Sequence, residues 1–270
     1  MTTTAEEKVE SRGSGPTEDV AAAWGRGPVE RRNLMGYVTT PLLLLAVLLG
    51  LYLYVQAQEL SSGEARRLNS DVIVSATLEH IQMTVVSTVL VLVIAIPVGI
   101  MLTRPFARSV TPPAIAVFNV GQAVPSIGLI ALLAIIWDIG FWPAVVALVA
   151  YTVLPVLRNT MVGLRQVDES VIESARGMGM TKRMVLGRIE LPLAVPIIMA
   201  GLRTALTINV GTATLGTFIG AGGLGGLIVA GTVQNRPLIT IVGAILVAVL
   251  ALFVDFIAGI AEEQLRPKGL

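Results

Sequence analysis

Polar side chains are scarce within the long apolar runs of this sequence, and where they fall they are spaced for contact. Asn119, Gln122 and Ser126 stand three and four residues apart beside Pro125, a spacing that on one straight helix puts all three on a single face. Amides and hydroxyls so placed either line a polar path or bond a neighbouring helix. A later run holds Asn209 and Thr212 together with Thr204, Thr207 and Thr214. Asn119, Gln122, Ser126, Asn209 and Thr212 are the candidates for a low-affinity polar path through the protein. Two charges, Arg203 and Asp255, also lie inside apolar runs. At about 1.5 Å per helical residue, each falls on the order of 10–15 Å from the end of its helix. They are expected either to pair across a helix interface or to extend along their own stems to the membrane surface.

None of these sets is catalytic. The chain has no cysteine, which removes disulfides, thiolate metal sites and cysteine nucleophiles. Its one histidine, His80, lacks the convergent partners a metal site needs and reads as an interfacial polar residue at the edge of an apolar run. Residues Gly220 to Gly225 match G-x-G-x-x-G literally. A dinucleotide site, however, needs a preceding strand, a following helix and an acidic residue about 20 positions on. Here the flanks are apolar runs, and close helix packing with a tight turn accounts for the glycines better. The segment GMGMTK at 177–182 lacks the glycine that a phosphate-binding loop places before its lysine. No paired aspartates and no Ser–His or Ser–Lys dyad fall in a plausible position. The expectation is a protein with no catalytic residues, no metal centre, no bound cofactor and no nucleic-acid partner, unable to hydrolyse ATP by itself.

The elements that must position these residues follow from composition. Of 270 residues, 54% are hydrophobic and 14% charged, far more apolar than a soluble domain. An all-α polytopic membrane protein in contact with lipid is expected, with about six transmembrane helices near 37–56, 81–103, 113–137, 142–157, 193–219 and 238–261. These runs do not alternate with period two, as barrel strands would. Of the 19 Lys and Arg, all but Arg66, Arg67, Arg203 and Arg236 fall in the tails and loops of one side. That asymmetry marks the cytoplasmic side and puts both termini there. Residues 1–33 are expected to be a disordered cytoplasmic tail, 34–74 a first span with an outside segment, 75–262 the core, and 263–270 a second cytoplasmic tail.

The longest polar interruption, DESVIESARGMGMTKRMVLGRIELP at 168–192, has a design of its own. Asp168 or Ser170 is placed to cap a helix, and Ser170 with Glu173 fits a capping box. Val171, Ile172, Ala175 and Met178 fall on one side at helical spacing, and Gly177 and Gly179 end the helix. Thr181 is placed to start a further turn, and Pro192 is expected to redirect the chain into the next span.

Glu173-Ser174-Ala175, then Gly179, then Ile189-Glu190-Leu191-Pro192 resemble the EAA loop of permease subunits of binding-protein-dependent ABC importers. The pattern is E-A-A, three residues, G, nine residues, I-x-L-P, and only Ser174 departs from it. GQAVPS at 121–126 and LPLAVPIIMAGLRTALTINVGTATLGTFIGAGGLGGLI at 191–228 resemble a narrower group, the permeases for glycine betaine, choline, carnitine and related osmoprotectants. The resemblance covers roughly residues 75–262. It implies a type I ABC importer permease fold in a prokaryotic inner membrane, and coupling through Glu173, Ser174, Ala175, Gly179, Ile189, Leu191 and Pro192. It also implies a second permease subunit, identical or related, two cytoplasmic ATP-binding subunits that consume the ATP, and an extracytoplasmic solute-binding protein. A permease for another small solute such as an amino acid, or a non-transporting sensor that docks an ATPase, are the competing readings.

Overall fold

The computed structural model describes residues 34–265, with side chains from 37. The expected tail over 1–33 lies outside the described residues, as do 266–270. The chain divides into two compact units, Met1–Leu42 and Leu43–Leu270. Helix α1, Leu34–Gln56, crosses that boundary and is apolar on every side, as a helix facing lipid is.

The second unit continues with α2 (Ser62–Arg67), α3 (Ser70–Leu102), a 3₁₀ turn at Pro105–Ala107, α4 (Thr111–Ala123), α5 (Ser126–Ile136) and α6 (Phe141–Arg165). It then runs through α7 (Glu169–Gly177), α8 (Lys182–Val185), a π-helical turn at Leu186–Glu190, α9 (Leu191–Ala213) and a 3₁₀ stretch at Thr214–Ile219. α10 (Gly225–Val233) and α11 (Pro237–Leu265) complete it. Among the described residues, five helical runs are long and apolar enough to cross a membrane, and α4 with α5 makes a sixth if that bent pair is counted as one span.

Four boundaries differ from the sequence expectation, each for a local reason. The run expected at 113–137 is two helices bent by 95°. Val124 precedes Pro125 and is extended, with ψ 132°, because the proline ring disfavours helical geometry in the residue before it. α3 starts at Ser70, where Asn69 caps it by accepting a hydrogen bond from the Asp71 N–H at 2.9 Å. His80 is therefore well inside a helix and fully buried, not at a boundary. α6 continues past 157 to Arg165. Pro192 does not redirect the chain: residues Lys182–Ile219 form one helical run. The π turn lies just before Pro192, whose missing N–H is tolerated in the first turn of α9.

α3, α6 and α9 pack together through small residues. A Cβ on Gly99 would meet the Thr160 side chain at 2.8 Å, and one on Gly201 would meet Asn159 Cβ at 2.6 Å, so these helices approach at backbone distance. Val91, Ala95, Val153, Leu154, Leu157 and Ala205 fill the space between them. The glycine-rich segment after α9 is a turn: Gly220, Gly222 and Gly223 have φ of 72°, 81° and 89°. No strand flanks it among the described residues.

Candidate functional site

The polar interruption folds as two short helices docked on the bundle. Asp168, not Ser170, is the cap of α7: its Oδ1 accepts from the Ser170 N–H at 2.8 Å. That bond holds the Asp168 carboxyl below the usual carboxylate range. The helix thus begins earlier than a Ser170 cap requires, and no Ser170–Glu173 capping box forms. α7 ends in a Schellman motif. Gly179, at φ 88°, donates to the Arg176 carbonyl at 2.9 Å, and Met180 donates to the Ala175 carbonyl at 3.1 Å. Thr181 then caps α8 by accepting from the Met184 N–H at 3.4 Å.

Ala175 is buried, whereas Glu173, Ser174, Val171 and Met178 are exposed, Met178 to 74%. Ile189, Leu191 and Pro192 are half-buried. Leu186 and Leu191, like Ile96 and Ile100 of α3, pack against a buried cluster of Leu164 of α6 and Ala194 and Ile198 of α9. The end of this segment is therefore fixed to the long helices, while α7 buries only Ala175.

Glu190, the variable position of I-x-L-P, belongs to this site although sequence reasoning gave it no role. Its side chain is 5% exposed and forms a fork with Arg104, Nη2 to Oε2 at 2.5 Å and Nη1 to Oε1 at 3.3 Å. Arg104 is extended (φ −78°, ψ 149°) because Pro105 follows it. The signal in the sequence was one acid within an apolar motif and one arginine at the end of a span.

Arg203 and Asp255 meet. The guanidinium donates from Nε to Oδ1 and from Nη2 to Oδ2, both at 2.9 Å, and from Nη1 to Glu262 Oε2 at 3.2 Å. One arginine of α9 is thus shared by two carboxylates of α11, about two helical turns apart.

The candidate path residues do not share one surface. Asn209 is 1% exposed and turned toward α3, where its Nδ2 donates to Ser87 Oγ at 2.7 Å and Thr88 Oγ1 at 3.0 Å. This places Asn209 in a helix contact, not on an open face. His80 Nε2 donates to the Val210 carbonyl at 2.9 Å along the same seam. Gln122 donates to the Tyr151 carbonyl at 3.1 Å, an acceptor freed because Pro155, four residues on, has no N–H. Asn119 Oδ1 accepts from Arg158 at 2.6 Å. The bend puts Ser126 at the start of α5, off the face of Asn119 and Gln122. Thr212 is half-buried on α9. The exposed polar groups of α9 are Thr204 and Thr207, which the sequence did not separate from their neighbours.

The chain is thus a bundle of membrane-length helices with an amphipathic segment folded beside it. The family model for the binding-protein-dependent transport system inner membrane component matches residues 95–267. A choline transport system permease protein of Bacillus subtilis (strain 168) is 40% identical over 194 residues, covering 72% of this chain and 88% of the relative. A glycine betaine/carnitine/choline transport system permease protein of the same organism is 40% identical over 192 residues, covering 71% and 88%. Inward-facing MetNI, a methionine ABC transporter, has a chain of the same fold at a TM-score of 0.66 and 24% identity, covering 77% of this chain and all of that one. The chain belongs to the family of binding-protein-dependent transport system inner membrane components, and it is an ABC importer permease, not an enzyme.

Proposed function

We propose that this chain forms, with a second permease subunit, the translocation path of an ATP-driven importer of compatible solutes of the glycine betaine, carnitine and choline type. It works in a prokaryotic inner membrane with both termini in the cytoplasm. An extracytoplasmic binding protein delivers solute, and two cytoplasmic ATPase subunits supply the energy. The observation that carries this is the segment 168–192, on a chain 40% identical over 194 residues to a choline permease.

α7 leaves Val171 and the following Met178 exposed beside the buried Ala175, and Glu173 exposed on the other side, which suits the helix-in-groove mode of recognition. The end of the segment is locked by Leu186 and Leu191 and by the Arg104–Glu190 fork. Because Lys182–Ile219 is one helical run of 38 residues, movement imposed at α7 and α8 passes into α9 as a rigid-body motion. Closure of the ATPase pair then alternates access to the path between the two sides of the membrane. High-affinity selection of a quaternary ammonium needs an aromatic cage, and this chain is only 5% aromatic, so that step belongs to the binding protein.

The test is osmolality-dependent uptake of labelled betaine, carnitine and choline in cells with and without this chain. Uptake of at least one that requires the chain is expected. Uptake of an amino acid in place of all three overturns the solute assignment.

A further inference from the structure

Three of the arginines at or within the membrane-length helices, Arg104, Arg158 and Arg203, differ in their partners. Arg203 is held by Asp255 and Glu262, and Arg104 by Glu190. Arg158 is exposed, and its hydrogen-bond partner among the described residues is the neutral amide of Asn119. It stands in α6, about 10 Å along the axis from the Arg165 end, and Asn119 stands about 12 Å into α4 from Thr111. An arginine within a membrane-length helix, with no carboxylate beside it among the described residues, is a candidate functional group. Its bond to Asn119 ties the head group to α4.

The orientation of the pair defines what it can hold. A guanidinium only donates, so the Asn119 oxygen faces it and the two N–H groups of Nδ2 point elsewhere. The remaining N–H groups of Arg158 and those of Asn119 make a surface of donors side by side, which suits an ionised carboxylate with its two acceptor oxygens.

The location fits a solute path. α6 turns Thr160 toward Gly99 of α3, and Asn159 toward Gly201 of α9. Arg158 is left on the free side, flanked by α4 through Asn119. On α9, the exposed polar side chains beyond the Gly201 contact are Thr204 and Thr207, whose hydroxyls donate to their own helix at 3.0 Å and keep their acceptor lone pairs available.

We infer that Arg158 and Asn119 form a carboxylate subsite on the open face of α6, which takes the acidic end of zwitterionic quaternary amines such as betaine and carnitine. Choline carries no carboxylate and gains nothing there. The inference rests on the solute class proposed above.

The test is the uptake ratio of labelled betaine or carnitine to choline by the full transporter, in cells lacking other systems for these solutes. Arg158→Gln is expected to lower that ratio about 10- to 100-fold, the weight of a hydrogen bond to a charged group. Arg158→Lys should recover part of it, and Asn119→Leu should lower it in the same direction. An Arg158→Gln variant whose uptake falls equally for both solute types, as loss of an anionic lipid headgroup contact or of folding would cause, overturns the subsite. So does a wild type that takes up choline but neither carboxylated solute, although the importer assignment then stands. A wild type that takes up none of the three overturns the importer assignment instead.

Discussion

Arg104 and Glu190 should respond unequally to the loss of their partner. The Glu190 side chain is 5% exposed and that of Arg104 28%. Arg104→Leu leaves a carboxylate almost without water and without a cation, a loss of about 3–5 kcal/mol for a broken buried pair. Glu190→Leu leaves a guanidinium that already reaches solvent, and the cost should be about 1–2 kcal/mol, that of one charged hydrogen bond discounted for exposure. The double Leu variant removes both charges and extends the apolar contact of Leu186 and Leu191. It should lie within about 1 kcal/mol of wild type, as replaced buried pairs often do. Unfolding of the purified chain in mild detergent with increasing denaturing detergent, read by loss of helicity, measures all four proteins. Equal cost for the two single variants, or single effects that simply add in the double variant, would refute the buried asymmetric fork.

Other outcomes follow from the same geometry. The Asp168 carboxyl is held low by the Ser170 N–H, so its cap contributes fully above the ordinary Asp value of about 3.9 and is lost as pH falls through the lowered value. Amide protection factors at Ser170–Ile172 should be flat across neutral pH and fall only in acid; Asp168→Asn should lose the acid dependence, and Asp168→Ala should lower protection throughout. Reversing Arg203 alone or Asp255 alone should impair assembly. The double reversal Arg203→Asp with Asp255→Arg should recover it only in part, because Glu262 then faces the new aspartate at position 203, and full recovery by size-exclusion profile would remove Glu262 from the network.

What could be read in the sequence was set by spacing along one helix, and what could not was set by which neighbour each face met. The structure of segment 168–192 was legible because caps, glycines and the I-x-L-P run are local signals, and Thr181 and Gly179 act where local chemistry puts them. Arg203 and Asp255 were legible because two charges in apolar runs at similar depth have few alternatives. Glu190 was missed because its partner is 86 positions away. Asn209 looked like a path residue because polarity alone cannot say whether a helix turns a side chain to a cavity or to α3. The 95° bend at Pro125 separated Ser126 from Asn119 and Gln122, residues that share a face only if the helix is straight.

The most direct measurement is ATP-dependent solute accumulation in proteoliposomes containing this chain, its ATPase subunits and its binding protein, with Glu173→Lys and Gly179→Leu variants beside the wild type. Wild type should accumulate betaine, carnitine or choline when ATP is hydrolysed, and both variants should insert normally yet lose ATP-coupled uptake. Normal accumulation by both variants, or ATP hydrolysis by the wild-type assembly with no solute moved, would contradict a permease driven through residues 168–192.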